Sequence, residues 1–143
     1  MLAWLHAIFP QKTATAQQKS GNRGEQVAAA YLREKKGHRV LARNWRSPVD
    51  RRDELDLVTC DGEVLVFVEV KTRAAGALVT GYYAVNRRKK RVLLRACGAY
   101  LSALGRGDRP KTFRFDIVEV STGPAGATTI NHFENIPLFP KEW

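Results

Sequence analysis

The stretch Glu54–Thr72 reads ELDLVTCDGEVLVFVEVKT, and its interpretation decides the fold. Two β-prone runs, Glu54–Thr59 and Glu63–Thr72, flank Asp61-Gly62, the strongest short-range hairpin signal a sequence carries. With Asp61 and Gly62 as a two-residue loop, Cys60 faces Glu63, Val58 faces Leu65, Asp56 faces Phe67 and Glu54 faces Glu69. Alternation then sends Val64, Val66, Val68 and Val70 to one face and Leu65, Phe67, Glu69 and Lys71 to the other. Asp56 falls on the second face, diagonal to Glu69 at about 7–8 Å between backbone positions. A slip of one residue would carry it to the opposite face, so the assignment depends on register.

The Val-rich second run is apolar enough for a central strand, where a carboxylate is costly unless something pairs with it. Glu54 opposite Glu69, with Asp56 nearby, adds like-charge repulsion. A divalent cation relieves both costs: Mg²⁺ (or Mn²⁺) takes one or two carboxylates together with phosphate oxygens and water. Asp56 and Glu69 are therefore the candidate metal ligands. Lys71 lies two residues past Glu69 on the same face, placed to touch the attacking water or the scissile phosphate. This spacing suits metal-assisted phosphodiester hydrolysis. The competing interpretation is a Glu69–Lys71 ion pair at an exposed strand end with Asp56 in a turn contact, because acid-x-Lys alone is a weak motif.

Upstream, Ser20 precedes a helical pattern over Asn22–Lys36, with Ala28, Tyr31 and Leu32 on one face and Gly37 as a C-cap. Glu25 borders that apolar face, and from position alone it reads as an acid favouring the helix dipole. Val40–Trp45 is a short strand candidate. Downstream, a Gly-rich connection containing Tyr82 and Tyr83 leads to a second helix from about Asn86, lined by Val92, Leu93, Ala96 and Tyr100 and ended by Gly105. Thr112–Val120 reads as a strand and Thr128–Phe133 as a weaker one. The order is α-β-β-β-α-β with an extra strand.

The second helix opens with Arg87-Arg88-Lys89-Lys90-Arg91. Cations at a helix N-terminus oppose the dipole, so stability does not explain the run, whereas contact with a phosphate backbone does. A solvated face is the plainer alternative. Arg46, Arg51, Arg52 and Arg73 extend the basic surface, and Tyr82 and Tyr83 are candidates for stacking on a base. The whole chain of 143 residues has a net charge of +10, a balance that favours polyanionic partners without identifying them. Cys60 and Cys97 form neither a disulfide framework nor a zinc pattern, which points to a reducing, cytoplasmic setting. His6, His38 and His132 have no ligand spacing. Residues 1–10 (MLAWLHAIFP) are apolar but too short to span a bilayer and lack a basic n-region, so no membrane association is expected. Residues 1–20 read as a flexible arm and 21–143 as a single domain.

Taken together, Gly21-Asn-Arg-Gly24-Glu25, Ala28…Tyr31-Leu32, Gly37, Arg43-Asn44-Trp45-Arg46, Glu54-Leu-Asp56-Leu-Val58 and Phe67-Val-Glu69-Val-Lys71-Thr-Arg73 resemble the YraN family. The likeness runs from about Gly21 to Val120 and includes Asn86–Arg91 and Arg114-Phe115-Asp116. That uncharacterised bacterial family is assigned to the restriction-endonuclease-like, PD-(D/E)xK superfamily and is similar to archaeal Holliday junction resolvases. The resemblance implies an α/β fold with an αβββαβ core, a mixed central sheet flanked by helices, so that residues 21–143 form a nuclease-like domain. It implies a Mg²⁺- or Mn²⁺-dependent endonuclease acting on DNA, including junction-like structures, and is compatible with a homodimer. Asp56 and Glu69 would be metal ligands, Lys71 the catalytic lysine, Glu25 the helix-borne acid that completes the site, and Glu54 an assisting outer residue. Arg46, Arg73, Arg87, Arg88, Lys89, Lys90 and Arg91 are the candidate nucleic-acid contacts. The family usually has Gly before the Glu-x-Asp element; Asp53 stands there after a longer loop, Ser47–Arg52, and is expected to reshape the metal site or add negative charge to its rim. A non-catalytic nucleic-acid-binding module on the same fold is the alternative.

Overall fold

The computed structural model describes residues 16–74 and 86–141; the start of the N-terminal arm with His6, and the Gly-rich connection with Tyr82 and Tyr83, lie outside the described residues. The first helix, α1, covers Ala16–Glu34. It therefore begins before the expected start at Asn22, and residues 16–20 belong to the helix and not to the arm. Ala16, Gln17, Gln18 and Lys19 are good helix formers that carry it through Ser20 and Gly21. This places Glu25 well beyond the first turn, where the dipole effect has faded, so favouring the helix end is not what that acid does. Gly37, with φ +71°, ends the helix as expected, and the His38 amide returns to the Leu32 carbonyl at 2.9 Å.

Five strands follow: β1 Arg39–Arg46, β2 Glu54–Asp61, β3 Val64–Ala74, β4 Thr112–Thr122 and β5 Thr128–Phe133. They form one mixed sheet in the order β1-β2-β3-β4-β5, antiparallel except for β3 and β4. The second helix, α2 (Arg87–Ala103), supplies the crossover that a parallel pair requires. Its Asn86 cap accepts the Lys89 amide at 2.9 Å. The molecule is thus α/β with the expected αβββαβ restriction-endonuclease-like core, extended by β5.

Each face of the sheet is covered by one helix. Ala28, Ala29 and Leu32 of α1 bury Leu57, Val66, Val68, Val118 and Val120. Leu93, Ala96, Cys97 and Tyr100 of α2 bury Leu65, Phe67, Phe115 and Ile117. Phe67 is fully buried under Tyr100, so truncating it to Ala would cost about 3–5 kcal/mol.

The hairpin register differs from expectation by two residues. Asp61 pairs with Val64, Cys60 with Leu65, Val58 with Phe67 and Leu57 with Val68. The two-residue loop is Gly62-Glu63, with Gly62 at φ +59° in the first central position, the place a II′ turn reserves for glycine. A shift of two preserves side-chain parity but changes the neighbours: followed outward, the register brings Asp56 directly across from Glu69 instead of diagonal to it. Glu54 consequently no longer faces Glu69. On the other side of β2, Arg43 pairs with Leu57 and Trp45 with Leu55, flanking Asn44 at φ +48°. Alternation breaks there: Leu57 joins the core under α1, whereas Leu55 joins the core under α2.

The α1 face also holds a polar cluster. Asp116, fully buried, accepts from Arg114 Nε at 3.0 Å and from the Asn135 amide at 2.9 Å, and lies 2.9 Å from His132 Nε2. Burial pushes its carboxyl up, but these hydrogen bonds outweigh that and hold it below the usual carboxylate range. Arg114 continues to Asp61 at 3.0 Å, and His38 Nδ1 meets Thr59 Oγ1 at 2.9 Å. His38 and His132 are thus packing residues of this network. Among the described residues no helix is long and apolar enough to cross a membrane.

Candidate active site

Past Leu57 and Val68 the β2–β3 pairing stops, and a side chain takes over: Asp56 Oδ2 accepts the Val70 amide at 2.8 Å. This holds the Asp56 carboxyl beside Glu69, which is 5% exposed. Burial, followed by the Glu69 charge, pushes the Asp56 carboxyl up to about 8; the Val70 amide opposes this and Glu25 adds to it. Glu25 reaches the same place from α1. Its carboxyl is raised by burial and by the charges of Glu54 and Glu69, while a hydrogen bond from the Asn44 side chain and the charge of Arg43 pull it down. Its Oε2 is buried with no partner among the described residues.

Two cations converge on Glu69. Lys71 Nζ and Lys89 Nζ each lie 3.3 Å from Oε1. Lys71 arrives by strand alternation, and Lys89 from the first turn of α2. Lys89 is therefore turned into the site and away from the outward basic surface expected for the run Arg87–Arg91. Arg87, Arg88 and Arg91 are exposed and Lys90 is half-buried. Arg46 lies 3.2 Å from Glu54, both half-exposed, and that pair forms the rim beside Glu25. Arg73 continues the Glu69–Lys71 alternation, and its Nε is buried without a partner among the described residues.

Asp53 does not stand at the rim of the acids. It is 4% exposed and accepts from Arg95 Nε of α2 at 2.6 Å, while its backbone carbonyl takes the Ser47 amide at 2.9 Å. Its charge is answered by α2, so the expected negative rim is not formed there. Arg52 is engaged by Asp50, at 2.7 Å, and Arg51 also has a partner.

Three residues at the site escaped the sequence. Asn44, Lys89 in its inward role, and Glu119 are brought there by tertiary structure. Glu119 is 5% exposed, is paired in register with Lys71, and accepts from Asn131 Nδ2 at 3.3 Å. An acid in phase with Ile117 and Phe115 was its only signal.

Asp56 and Glu69 offer only carboxylate oxygens, the donor type preferred by Mg²⁺ or Mn²⁺. The burial and like-charge repulsion that raise the Asp56 carboxyl, and the Glu25 Oε2 left without a partner among the described residues, are both features a divalent cation would relieve, so the residues fit one. Among the described residues no three His, Cys, Asp or Glu side chains are gathered into one metal-holding group, so this fit rests on the pair, with Glu25 beside it.

The protein is an α/β fold with a restriction-endonuclease-like core that carries a carboxylate–lysine constellation on one sheet face. Residues 24–120 match the family described as Uncharacterised protein family UPF0102, and the chain belongs to it. It is 44% identical over 115 residues to a UPF0102 protein of Symbiobacterium thermophilum, covering 80% of this chain and 92% of that one. A UPF0102 protein of Alkaliphilus oremlandii is 39% identical over 117 residues, covering 82% and 96%. One from Anaeromyxobacter dehalogenans is 44% identical over 113 residues, covering 79% of each.

Proposed function

We propose that this protein is a metal-dependent endonuclease that hydrolyses DNA phosphodiester bonds, branched structures included. The observation that carries the proposal is the half-buried Asp56 against the buried Glu69, with Lys71 on Glu69 and beside them the Glu25 Oε2 that has no partner among the described residues. Asp56 and Glu69 would hold Mg²⁺ or Mn²⁺, which when bound supplies Lewis acidity and a water of lowered pKa. Lys71 Nζ donates to a non-bridging oxygen of the scissile phosphate and balances its developing charge. Glu25, held by Asn44 and inclined by burial to take a proton, receives one from the attacking water; the P–O bond to the leaving sugar oxygen breaks as the new P–O bond forms, and that oxygen takes a proton from solvent water to become a hydroxyl. Arg73, Arg87, Arg88 and Arg91 hold neighbouring phosphates.

A second reading is a binding module on the same fold with weak or absent cleavage. It is favoured by one observation: Glu69 already has two lysine partners at 3.3 Å, which satisfy its charge without a metal. Incubation with linear, flapped and four-way DNA in Mg²⁺ or Mn²⁺ separates the two. Under the nuclease reading wild type cleaves at least one substrate, Asp56→Ala is inactive, and Lys71→Met loses about 10²–10³-fold, the scale of one electrostatic stabiliser. Binding without metal-dependent cleavage on every substrate would leave the module reading standing. Cleavage that survives Asp56→Ala would mean the site is wrongly placed.

A further inference from the structure

Behind the acids, on the α1 face, the ends of β3, β4 and β5 and the middle of α1 line a half-open cavity of about 300 Å³. Its lining combines Val27 and Val120 with Arg23, Thr72, Thr122 and Thr128, and Gly24. The valines are half-buried or buried, whereas Arg23 and the three threonines are exposed. The register explains the arrangement. Val66, Val68, Val118 and Val120 form the apolar stripe under α1, and the same alternation continues to Thr72 and Thr122, with Thr128 paired across from Thr122. The stripe therefore changes from methyl to hydroxyl groups where it leaves the core.

Gly24 keeps this space open. A Cβ there would run into Thr72 Oγ1, so a side chain at position 24 would crowd one wall of the cavity. Glycine inside a helix costs about 1 kcal/mol relative to alanine, and the close approach of α1 to β3 at Thr72 accounts for its presence. Arg23 has no carboxylate partner among the described residues, unlike Arg46, Arg52, Arg95 and Arg114. Its charge is open to a ligand.

We propose that this cavity binds one sugar–phosphate unit of the nucleic-acid strand, next to the phosphate held at Lys71. A guanidinium and hydroxyl donors match phosphate oxygens, and the valine floor matches the apolar face of a ribose or deoxyribose ring. The volume is at the small end of ligand sites (about 300 Å³), suited to one nucleotide and too small for a duplex. Covalent continuity ties the cavity to the acids: Gly24 precedes Glu25 and Thr72 follows Lys71, and alternation turns Thr72 and Lys71 to opposite faces of β3. In this proposal the substrate strand passes around the end of β3 to reach both faces. The inference rests on the nuclease reading for the identity of its ligand.

The test uses the full chain in EDTA, where cleavage plays no part. Binding of 3′-labelled single strands, with either a 5′-phosphate or a 5′-hydroxyl, is followed by fluorescence anisotropy at several salt concentrations. Arg23→Gln and Thr122→Val alter exposed side chains, and each is compared with wild type by circular dichroism to establish folding. Arg23→Gln is expected to weaken binding about tenfold and to lower the salt dependence by the equivalent of one phosphate, about 0.7 for a single strand. Thr122→Val is expected to weaken it less. In NMR spectra, backbone amides of Thr72, Thr122 and Thr128 should shift on adding a dinucleotide. A loss confined to 5′-phosphorylated strands would support the site as one for a terminal phosphate, and an equal loss on both as one for an internal diester. Wild-type affinity and salt slope in both variants would overturn the inference while leaving the nuclease reading intact. A wild type that binds no nucleic acid would overturn both.

Discussion

Asp56 shows how burial and a neighbouring charge govern the site at the scale of one residue. Its carboxyl stays protonated near neutrality because burial and the Glu69 charge outweigh the Val70 amide. An unfolded aspartate releases its proton at about pH 4, so from there up to about 8 the folded protein holds a proton that the unfolded chain has lost. Stability without metal should therefore fall as pH rises through this window, by at most about 1.4 kcal/mol per unit. Asp56→Asn removes that dependence. Urea midpoints in EDTA at pH 5 and pH 8 should differ more for wild type than for the variant; equal differences would refute this account of Asp56. Asp56, Glu69 and Lys71 were legible in the sequence because alternation and a hairpin place them. Asn44 was not, because its left-handed backbone and its hydrogen bond to Glu25 follow from how β1 lies beside α1. Glu25 was legible only by resemblance, since its local surroundings suggested a helix-end charge.

Among the elements, the loop before β2 has the clearest energetic consequence. Asp53 is buried, and Arg95 of α2, spaced far away in sequence, supplies its answering charge at 2.6 Å. Arg95→Ala should destabilise the protein by about 1–3 kcal/mol, the cost of leaving a buried acceptor unanswered. Asp53→Ala combined with Arg95→Ala should recover part of that loss in a double-mutant cycle on urea midpoints. Strictly additive effects would show that the pair does not hold the loop to α2. No periodicity could have revealed this pairing, and the unusual Asp53 was therefore expected at the metal rim. The hairpin illustrates the opposite case. Asp-Gly correctly marked the turn, but the glycine with positive φ sits in the first central position, and the pairing moved by two residues. Parity survived, so the face holding Glu69 and Lys71 was legible even though the neighbours across the hairpin were not. The start of α1 was missed because Ser20 resembles a cap, while the helix formers before it extend the helix to Ala16.

For the molecule as a whole, the charge of +10 is a sum over groups with different tasks. Arg114 is locked between Asp61 and Asp116, Arg95 is on Asp53, Arg52 on Asp50 and Arg46 on Glu54. Lys71 and Lys89 are turned to Glu69. The surplus that faces solvent beside the acids is the start of α2, where Arg87, Arg88 and Arg91 are exposed and no acidic residue relieves the first turn. Composition alone made a polyanionic partner plausible; the pairing pattern says which cations remain open to it. If Arg87 and Arg88 neutralise phosphates, Arg87→Gln with Arg88→Gln should lower the slope of log affinity against log salt on duplex DNA by about 2, near 0.9 for each phosphate left unneutralised. Lys89→Gln should leave that slope almost unchanged and depress cleavage instead, because its ammonium lies on Glu69 and not on the outer surface. Anisotropy titrations across salt, run beside cleavage assays of the same variants, distinguish the two classes of cation. If Lys89→Gln lowers the slope as much per charge as the arginine pair does, Lys89 binds the phosphate backbone, and its place beside Glu69 is not its working position.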